Sequence, residues 1–346
     1  MERLPVVGGK VLFGRRPDAG ELFGDLIPRR VAFLTQPGPP AAHAARLAEA
    51  ARVLGAESLV LPVPDGEAAK SLEVAARVID RFEEAGFERA DMVVAVGGGA
   101  VTDFGGFVAG IYLRGVRCGL VPTTLLGAID AAIGGKVAVN ARGKNRIGLF
   151  RQPEVVIVDL DVLDQLPVHL VRHGLAEALK VGLVADPGLV DMVGAALPGG
   201  SLEGIVRAAI TAKTAIVESD PLEGGRREIL NFGHTIGHAV ETVSGLPHGE
   251  AVALGMVAEA YASAAVAGFS DAEAVRGMVA ALGLPVEAPD IAPSALDDAL
   301  GLDKKRRGAE TRMVLLEAIG RPRVGVVGDA TVRAALAAIG IGGRSP

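Results

Sequence analysis

The sequence predicts an α/β protein in two parts: a Rossmann-like, doubly wound α/β domain over residues 1–167 and an all-α domain over residues 168–346. Three observations predict it. Short apolar runs alternate with helical periods through the first half of the chain. One of these runs, Asp91-Met-Val-Val-Ala-Val96, leads straight into Gly97-Gly98-Gly99. After Asp159 the β-branched runs fade, and Ala-, Leu-, Val- and Glu-rich helical periods fill residues 170–218, 228–268 and 271–283. The boundary falls near Pro167, and a cleft between domains is where a cofactor and a substrate usually meet.

Arg30-Val-Ala-Phe-Leu-Thr35 reads as the first strand, and residues 41–54 as a helix. Ser58-Leu-Val-Leu-Pro62 is a second strand and residues 69–86 a second amphipathic helix. Residues 91–96 make the third strand, residues 101–112 the helix after it, and a further apolar run ends at Pro122. This alternation implies a mostly parallel sheet, whose ligands bind at the carboxyl ends of its strands. No internal repeat or low-complexity segment interrupts it.

Half of the 346 residues are hydrophobic and 22% are charged, which excludes a disordered chain. Only 3% are aromatic and the net charge is −6, so neither base-stacking platforms nor a basic face points to nucleic acid. Cys118 is the single cysteine, which excludes an intramolecular disulfide and a Cys-rich zinc site. Its apolar setting, Gly115-Val-Arg-Cys-Gly-Leu-Val-Pro122, suits a buried structural thiol. The first twenty or so residues lack a signal-peptide core. No run of about 18 apolar residues escapes interruption, so no membrane span is expected. The chain reads as cytoplasmic.

Gly97-Gly-Gly-Ala-Val-Thr-Asp103 follows a buried strand and opens a helix. Glycine lets the backbone approach a phosphate, and the helix N-terminus offers free N–H groups and a positive dipole end. A tight strand-to-helix turn is the plainer reading. Pro122-Thr123-Thr124 brings hydroxyls to the same edge, and Gly66-Glu67-x-x-Lys70 could hold ribose hydroxyls. Helix capping and a surface ion pair are their plainer readings. Jointly they favour a dinucleotide.

His234, His238 and His248 fall within a short span. Asn231, His234 and His238 lie at i, i+3 and i+7, so one helix face presents all three, while His248 arrives in a loop, His248-Gly-Glu250. Upstream, Glu177 and Lys180 share a helix face at i, i+3. A single histidine on an apolar helix is more often a hydrogen-bonded core residue. Three clustered ones point to a divalent ion with open positions.

An anion signal runs through Asp130-x-x-Ile-Gly-Gly-Lys136 and Gly143-Lys144-Asn145-Arg146. Glycines flank these lysines, a context that suits an anion cradle better than a solvated helix face. Arg114 and the run Lys304-Lys305-Arg306-Arg307 add positive charge, although such basic runs are usually solvated loops. A highly charged, non-aromatic phosphate ester fits this inventory.

These segments together resemble the 3-dehydroquinate synthase family of sugar phosphate cyclases, from about Pro64 to Gly268 with a weaker tail at Leu302-Asp-Lys-Lys305 and Val314-Leu-Leu-x-x-Ile-Gly320. The specific pieces are Gly97-Gly-Gly-x-x-x-Asp103, Pro122-Thr-Thr-Leu-Leu126, Asp130-x-x-x-Gly-Gly-Lys136, Gly174-Leu-Ala-Glu-x-x-Lys180, Leu230-Asn-Phe-Gly-His-Thr-x-Gly-His238 and His248-Gly-Glu-Ala-Val252. The resemblance implies a dehydroquinate synthase-like fold, whose second domain binds metal and substrate. It implies a metal, usually zinc with cobalt as the alternative, on Glu177, His234 and His248. It implies NAD on Glu67, Lys70, Gly98, Gly99, Asp103, Thr123, Thr124 and Lys144. Substrate contacts would come from Asp130, Lys136, Asn145, Lys180, Lys213, Arg227, Asn231, His238 and Lys305. Arg114 would reach the site of a neighbouring subunit, making a homodimer.

The implied reaction converts 3-deoxy-D-arabino-heptulosonate 7-phosphate to 3-dehydroquinate and phosphate by transient oxidation, elimination, re-reduction and aldol closure, so NAD is recycled. Lys136, Asn145, Lys305 and Arg114 would hold the phosphate. Arg227 would pair with the substrate carboxylate, and His238 would relay protons. Three departures from the family pattern stand out. Ala131-Ala132 replace two serines, Gln36 follows the first strand where a ribose-gripping residue is usual, and Gln165 stands where Thr is common. The rival readings are another sugar phosphate cyclase, a metal-dependent dehydrogenase of the glycerol dehydrogenase type, and a noncatalytic NAD-binding protein.

Overall fold

The computed structural model describes the chain except residues 7, 18, 24–26, 197–200, 301–309 and 343–346. Its internal contacts divide it into two units, Met1–Pro167 with Lys213–Leu222, and Val168–Ala212 with Glu223–Pro346. Lys213, expected within the second domain, therefore belongs with the first unit.

The first unit runs β1 (Glu2–Val6), β2 (Gly9–Gly14), α1 (Ala19–Phe23), β3 (Arg30–Thr35), α2 (Pro39–Val53), β4 (Glu57–Pro62), α3 (Leu72–Glu84), β5 (Met92–Gly97), α4 (Gly99–Ile111), β6 (Arg117–Pro122), β7 (Lys136–Val139), β8 (Ile147–Phe150), β9 (Val155–Asp159) and α5 (Leu160–Leu163). Its described residues form a seven-stranded sheet in the order β1-β2-β9-β6-β5-β3-β4. All neighbours are parallel except β1 on β2. The strands at 30–35, 58–62 and 91–96 stand where the apolar runs put them. The β1 and β2 strands were not foreseen, because β1 is a largely exposed edge strand whose Glu2 and Arg3 need no apolar neighbours.

Period-2 alternation splits the sheet's side chains between two cores. Val31, Phe33, Met92, Val94 and Val96 pack with Leu47, Ala48 and Ala51 of α2. Ala95 and Leu34 turn the other way and meet α4. A Cβ at Gly105 would lie 2.4 Å from Ala95 Cβ, and one at Gly106 2.4 Å from Val137 Cγ1 of the β7–β8 hairpin. Two adjacent glycines thus let α4 press on the sheet with one side and on the hairpin with another. The chain steps from β3 to its neighbour β4, then crosses back to β5 on the other side of β3. That reversal opens a crevice at the carboxyl ends of β3 and β5.

The second unit holds α6 (Val168–Ala185), α7 (Pro187–Gly194), the start of α8 (Leu202–Ser219), α9 (His234–Ser244), α10 (His248–Ala267), α11 (Ala272–Ala281), α12 (Pro293–Ala299), β10 (Glu310–Ala318), β11 (Arg321–Gly328) and α13 (Asp329–Ala338). It is not all-α as expected, because β10 and β11 form an antiparallel hairpin. Met313 to Leu316 are all buried, and such a run carries no alternation to separate strand from buried helix. The helical period over 228–268 is likewise broken. A 3-10 turn spans Arg226–Asn231, and Gly233 (φ +79°) and Gly245 (φ +71°) take the left-handed conformation on either side of α9. Helix α10 packs against α6, α9, α11, α13 and β10. By length and composition it is apolar enough to cross a membrane, but 67% of its most apolar window is buried, as in the core helix of a globular unit.

Candidate functional site

In the first unit, β5 ends at Gly97 and α4 begins at Gly99, leaving Gly98 at the helix entry. A Cβ at Gly97 would sit 2.7 Å from Val101 Cβ, so the turn closes only on glycine. Thr123 N donates to Gly97 O at 2.8 Å, and Thr124 Oγ1 accepts from Gly127 N at 3.1 Å, the local capping role its plainer reading gave it. Gln36, just past β3, accepts from Gly98 N at 3.4 Å and donates through Nε2 to Asp65 Oδ1 at 2.6 Å. It stands at the mouth of the β3–β5 crevice.

Glu67 and Lys70 do not form the surface ion pair considered for them. Lys70 is 3% exposed, and its Nζ lies 2.6 Å from Asp103 Oδ2 and donates to Asn145 Oδ1 at 2.5 Å. Glu67 accepts from Asn140 Nδ2 at 2.7 Å, and Asn140 Oδ1 accepts from Asn145 N at 2.8 Å. Three segments far apart in sequence thereby share one polar network. Asn145 holds its place with φ +56°, a conformation Asn tolerates better than most residues. Burial pushes Asp103 up to about 6 even though the Lys70 ammonium opposes the shift. Lys144, beside Asn145, is exposed.

Asp130 sits in a π turn, Gly127–Ala131, and both its carbonyl and its Oδ1 accept from Lys213 Nζ at 2.5 Å. Lys136 opens β7 on an exposed position. Arg114 is exposed at the end of a 3-10 turn in which it (φ +63°) and Leu113 (φ +48°) are both left-handed. Two consecutive non-glycine residues in that region cost about 1–2 kcal/mol each.

In the second unit, α6 presents Glu177 and Lys180, both buried, with Nζ 2.5 Å from Glu177 Oε2. Glu177 Oε1 lies 3.5 Å from His234 Nε2 and 3.3 Å from His248 Nε2. The ligand nitrogens of His234, His238 and His248 all fall within 4.8 Å of one another. His248 is the first residue of α10, not part of a loop. Asn231 closes the 3-10 turn before α9, so the single helix face expected for Asn231, His234 and His238 carries only the two histidines. Asn231 Nδ2 reaches Glu223 Oε1 at 3.5 Å, and Arg227, in the same turn, is 2% exposed. Lys305 and the run 304–307 lie outside the described residues.

The electrostatics suit a cation. Burial alone would raise Glu177, but Lys180 and the two imidazoles outweigh it and hold the carboxyl well below its usual range. Burial and the nearby Lys180 push His234 down to about 3. Burial also disfavours charge on His248, yet hydrogen bonds to Glu177 and Glu241 raise it to about 10. His234 Nδ1 lies 3.2 Å from Phe232 O, and His248 Nδ1 3.2 Å from Glu241 Oε2, which leaves both Nε2 atoms facing Glu177. Imidazoles anchored at one nitrogen beside a buried carboxylate are a donor set that fits a divalent metal.

Sequence reasoning missed two carboxylates here. Glu241 follows His238 by three residues and His234 by seven, a spacing that could have exposed it. Glu259 had no local signal. It is fully buried on α10 and accepts from Gly233 N at 2.8 Å and Ile236 N at 3.1 Å. Burial drives it up to about 8 against the pull of those amides.

Comparison with known proteins adds an independent finding. Models of the 3-dehydroquinate synthase N-terminal and C-terminal regions match residues 60–173 and 174–306. A 3-dehydroquinate synthase of Thermobifida fusca (strain YX) is 44% identical over 92% of this chain and 88% of its own length. Among solved structures, 2-deoxy-scyllo-inosose synthase complexed with carbaglucose-6-phosphate, NAD+ and Co2+ superposes with TM-score 0.87 at 25% identity, over 97% of this chain and 99% of that one. The 2-epi-5-epi-valiolone synthase ValA of Streptomyces hygroscopicus subsp. jinggangensis 5008, with NAD+ and Zn2+ bound, gives 0.83 at 29% identity, over 98% and 97%.

Proposed function

Because the chain belongs to the 3-dehydroquinate synthase family, we propose that it converts 3-deoxy-D-arabino-heptulosonate 7-phosphate to 3-dehydroquinate and phosphate. The observation that carries this reading is the gathering of Glu177, Lys180, His234, His238 and His248 from three helices into one polar cluster, buried at Glu177 and Lys180 and open to solvent at His238. Glu177, His234 and His248 would hold a divalent ion, zinc by preference and cobalt as the alternative, the ions present in the two solved cyclases. Glu67, Lys70, Gly98, Gly99, Asp103, Thr123, Thr124 and Lys144 would hold NAD. When bound, NAD supplies hydride exchange at the substrate's C5, and the ion supplies a Lewis acid for its hydroxyls.

The chain's own residues do the rest. The glycine backbone at Gly98 and Gly99, at the start of α4, suits the pyrophosphate. Lys136, Asn145 and Lys305 would bind the substrate phosphate, with Arg114 contributed by a second copy in a homodimer. The strained backbone that holds Arg114 out in solvent supports that role. Arg227 offers a planar fork to the substrate carboxylate, and its burial strengthens the pairing. Lys180, Lys213, Asp130 and Asn231 would orient the substrate hydroxyls, and His238 would move the proton from the C5 hydroxyl. A C5 ketone acidifies the adjacent C–H, so phosphate leaves by elimination. Reduction back at C5, ring opening and an intramolecular aldol step then close the carbocycle. We place the enzyme in the cytoplasm, a location consistent with its lone buried cysteine.

The test is phosphate release from 3-deoxy-D-arabino-heptulosonate 7-phosphate with catalytic NAD and added zinc, followed together with nicotinamide absorbance. Stoichiometric phosphate, no net NADH and complete loss with chelator are expected. If this substrate gives no phosphate but a neutral sugar phosphate does, the activity is that of a sister cyclase. Net NADH from simple polyols would make it a dehydrogenase.

A further inference from the structure

Helices α9 and α10 carry the three histidines, and their backbones touch. A Cβ at Gly255 would lie 1.8 Å from Gly233 O, one at Gly237 2.8 Å from Ala251 O, and one at Gly233 3.0 Å from Met256 N. So close an approach leaves no room at the start of α9 for the Ser, Thr, Asp or Asn that would normally satisfy its first amides. Position 233 must be glycine on two counts, its neighbours and its φ of +79°. The cap comes instead from the opposite helix. Glu259, fully buried on α10, accepts from Gly233 N through Oε2 and from Ile236 N through Oε1.

We propose that Glu259 is a positioning residue for the metal centre: by capping α9 from α10 it fixes the register between the helix bearing His234 and His238 and the helix bearing His248. Both amides it holds lie within two residues of His234. The same carboxylate is anchored to the helix that starts with His248. A slip of α9 along α10 therefore breaks these two bonds at the same time as it separates the imidazoles. A glutamine is isosteric but cannot replace it, because one carboxamide oxygen leaves an NH2 facing the second amide donor.

This inference rests on the metal reading above, and its test separates the two. The full-length protein is loaded with Co2+, and its dissociation constant by chelator competition and its visible d–d spectrum are recorded for wild type, Glu259→Gln, Glu259→Ala and Ser263→Ala. Ser263 is the control, since its buried hydroxyl donates to the Glu259 backbone O and accepts from Leu316 N, both partners outside α9. We expect both Glu259 variants to bind cobalt roughly 10- to 100-fold more weakly with an altered spectrum. Ser263→Ala should lower the melting temperature but keep wild-type affinity and spectrum. Glu259→Gln, with its volume unchanged, keeps the test valid if the alanine variant does not fold. Wild-type affinity and spectrum in a Glu259 variant that melts early would overturn the positioning role alone. A wild-type protein that takes up no cobalt would overturn the metal reading and this inference together.

Discussion

Asp103 shares the Lys70 ammonium with Asn145 and is still pushed up to about 6, because burial outweighs that one counter-charge. The sign of its effect on stability follows. Between pH 3.8 and about 6 the folded chain keeps a proton that the unfolded chain has released. Its contribution is complete below 3.8 and is lost as pH rises through 6. Asp103→Asn removes this dependence, so urea melts of the NAD-free protein at pH 4 and pH 7 should show the variant gaining about 2–3 kcal/mol relative to wild type over that interval. An unchanged difference at the two pH values would mean that Asp103 ionises alike in both states. At this scale the legible residues were those with local spacing. Glu177 and Lys180, at i and i+3, do meet. The Lys70 network was not legible, because its partners arrive from α4 and from the β7–β8 turn, and no period in the sequence joins them. Glu259 was hidden for the same reason.

At the scale of elements, the glycines of α4 and α11 make opposite predictions from one physical argument. Gly105 faces Ala95 of the central strand, and a methyl there has nowhere to go. Gly277 lies in an exposed turn of α11 with nothing within 4 Å of its would-be Cβ. Thermal or urea unfolding should show Gly105→Ala destabilised by about 1–3 kcal/mol, overpacking outweighing the gain in helix propensity. Gly277→Ala should be stabilised by about 0.5–1 kcal/mol, propensity acting alone. Periodicity recovered β3, β4, β5 and the helices between them because each is bounded by a change of pattern. It failed over residues 228–268. There the helical reading runs across Gly233 and Gly245, whose left-handed conformations, with the 3-10 turn before α9 and Pro247 before α10, divide the run into separate elements. His248, read as part of a loop because it follows Gly245-Leu-Pro247, instead begins the longest helix among the described residues.

For the molecule as a whole, Cys118 serves as a built-in reporter of unfolding. It lies in β6 at 1% exposure, and burial pushes its thiol up to about 12. A disulfide reagent at pH 8 should leave the native protein unmodified over minutes and titrate one thiol in denaturant, and its slow native rate should track unfolding measured optically. Rapid native labelling would mean that β6 opens by itself. The change from strand to helix composition near Pro167 was legible. The allocation of Lys213–Leu222 to the first unit and the β10–β11 hairpin were not. Helix α10 has a consequence of another kind. Most of its residues are kept from solvent by neighbouring helices and β10, and β10 and α13 leave the ribosome after it. During synthesis the segment is therefore exposed while still incomplete in its packing, until β10 and α13 arrive to cover it. The speed with which the C-terminal hairpin arrives thus bears on how long an apolar, aggregation-prone face stays open on the nascent chain.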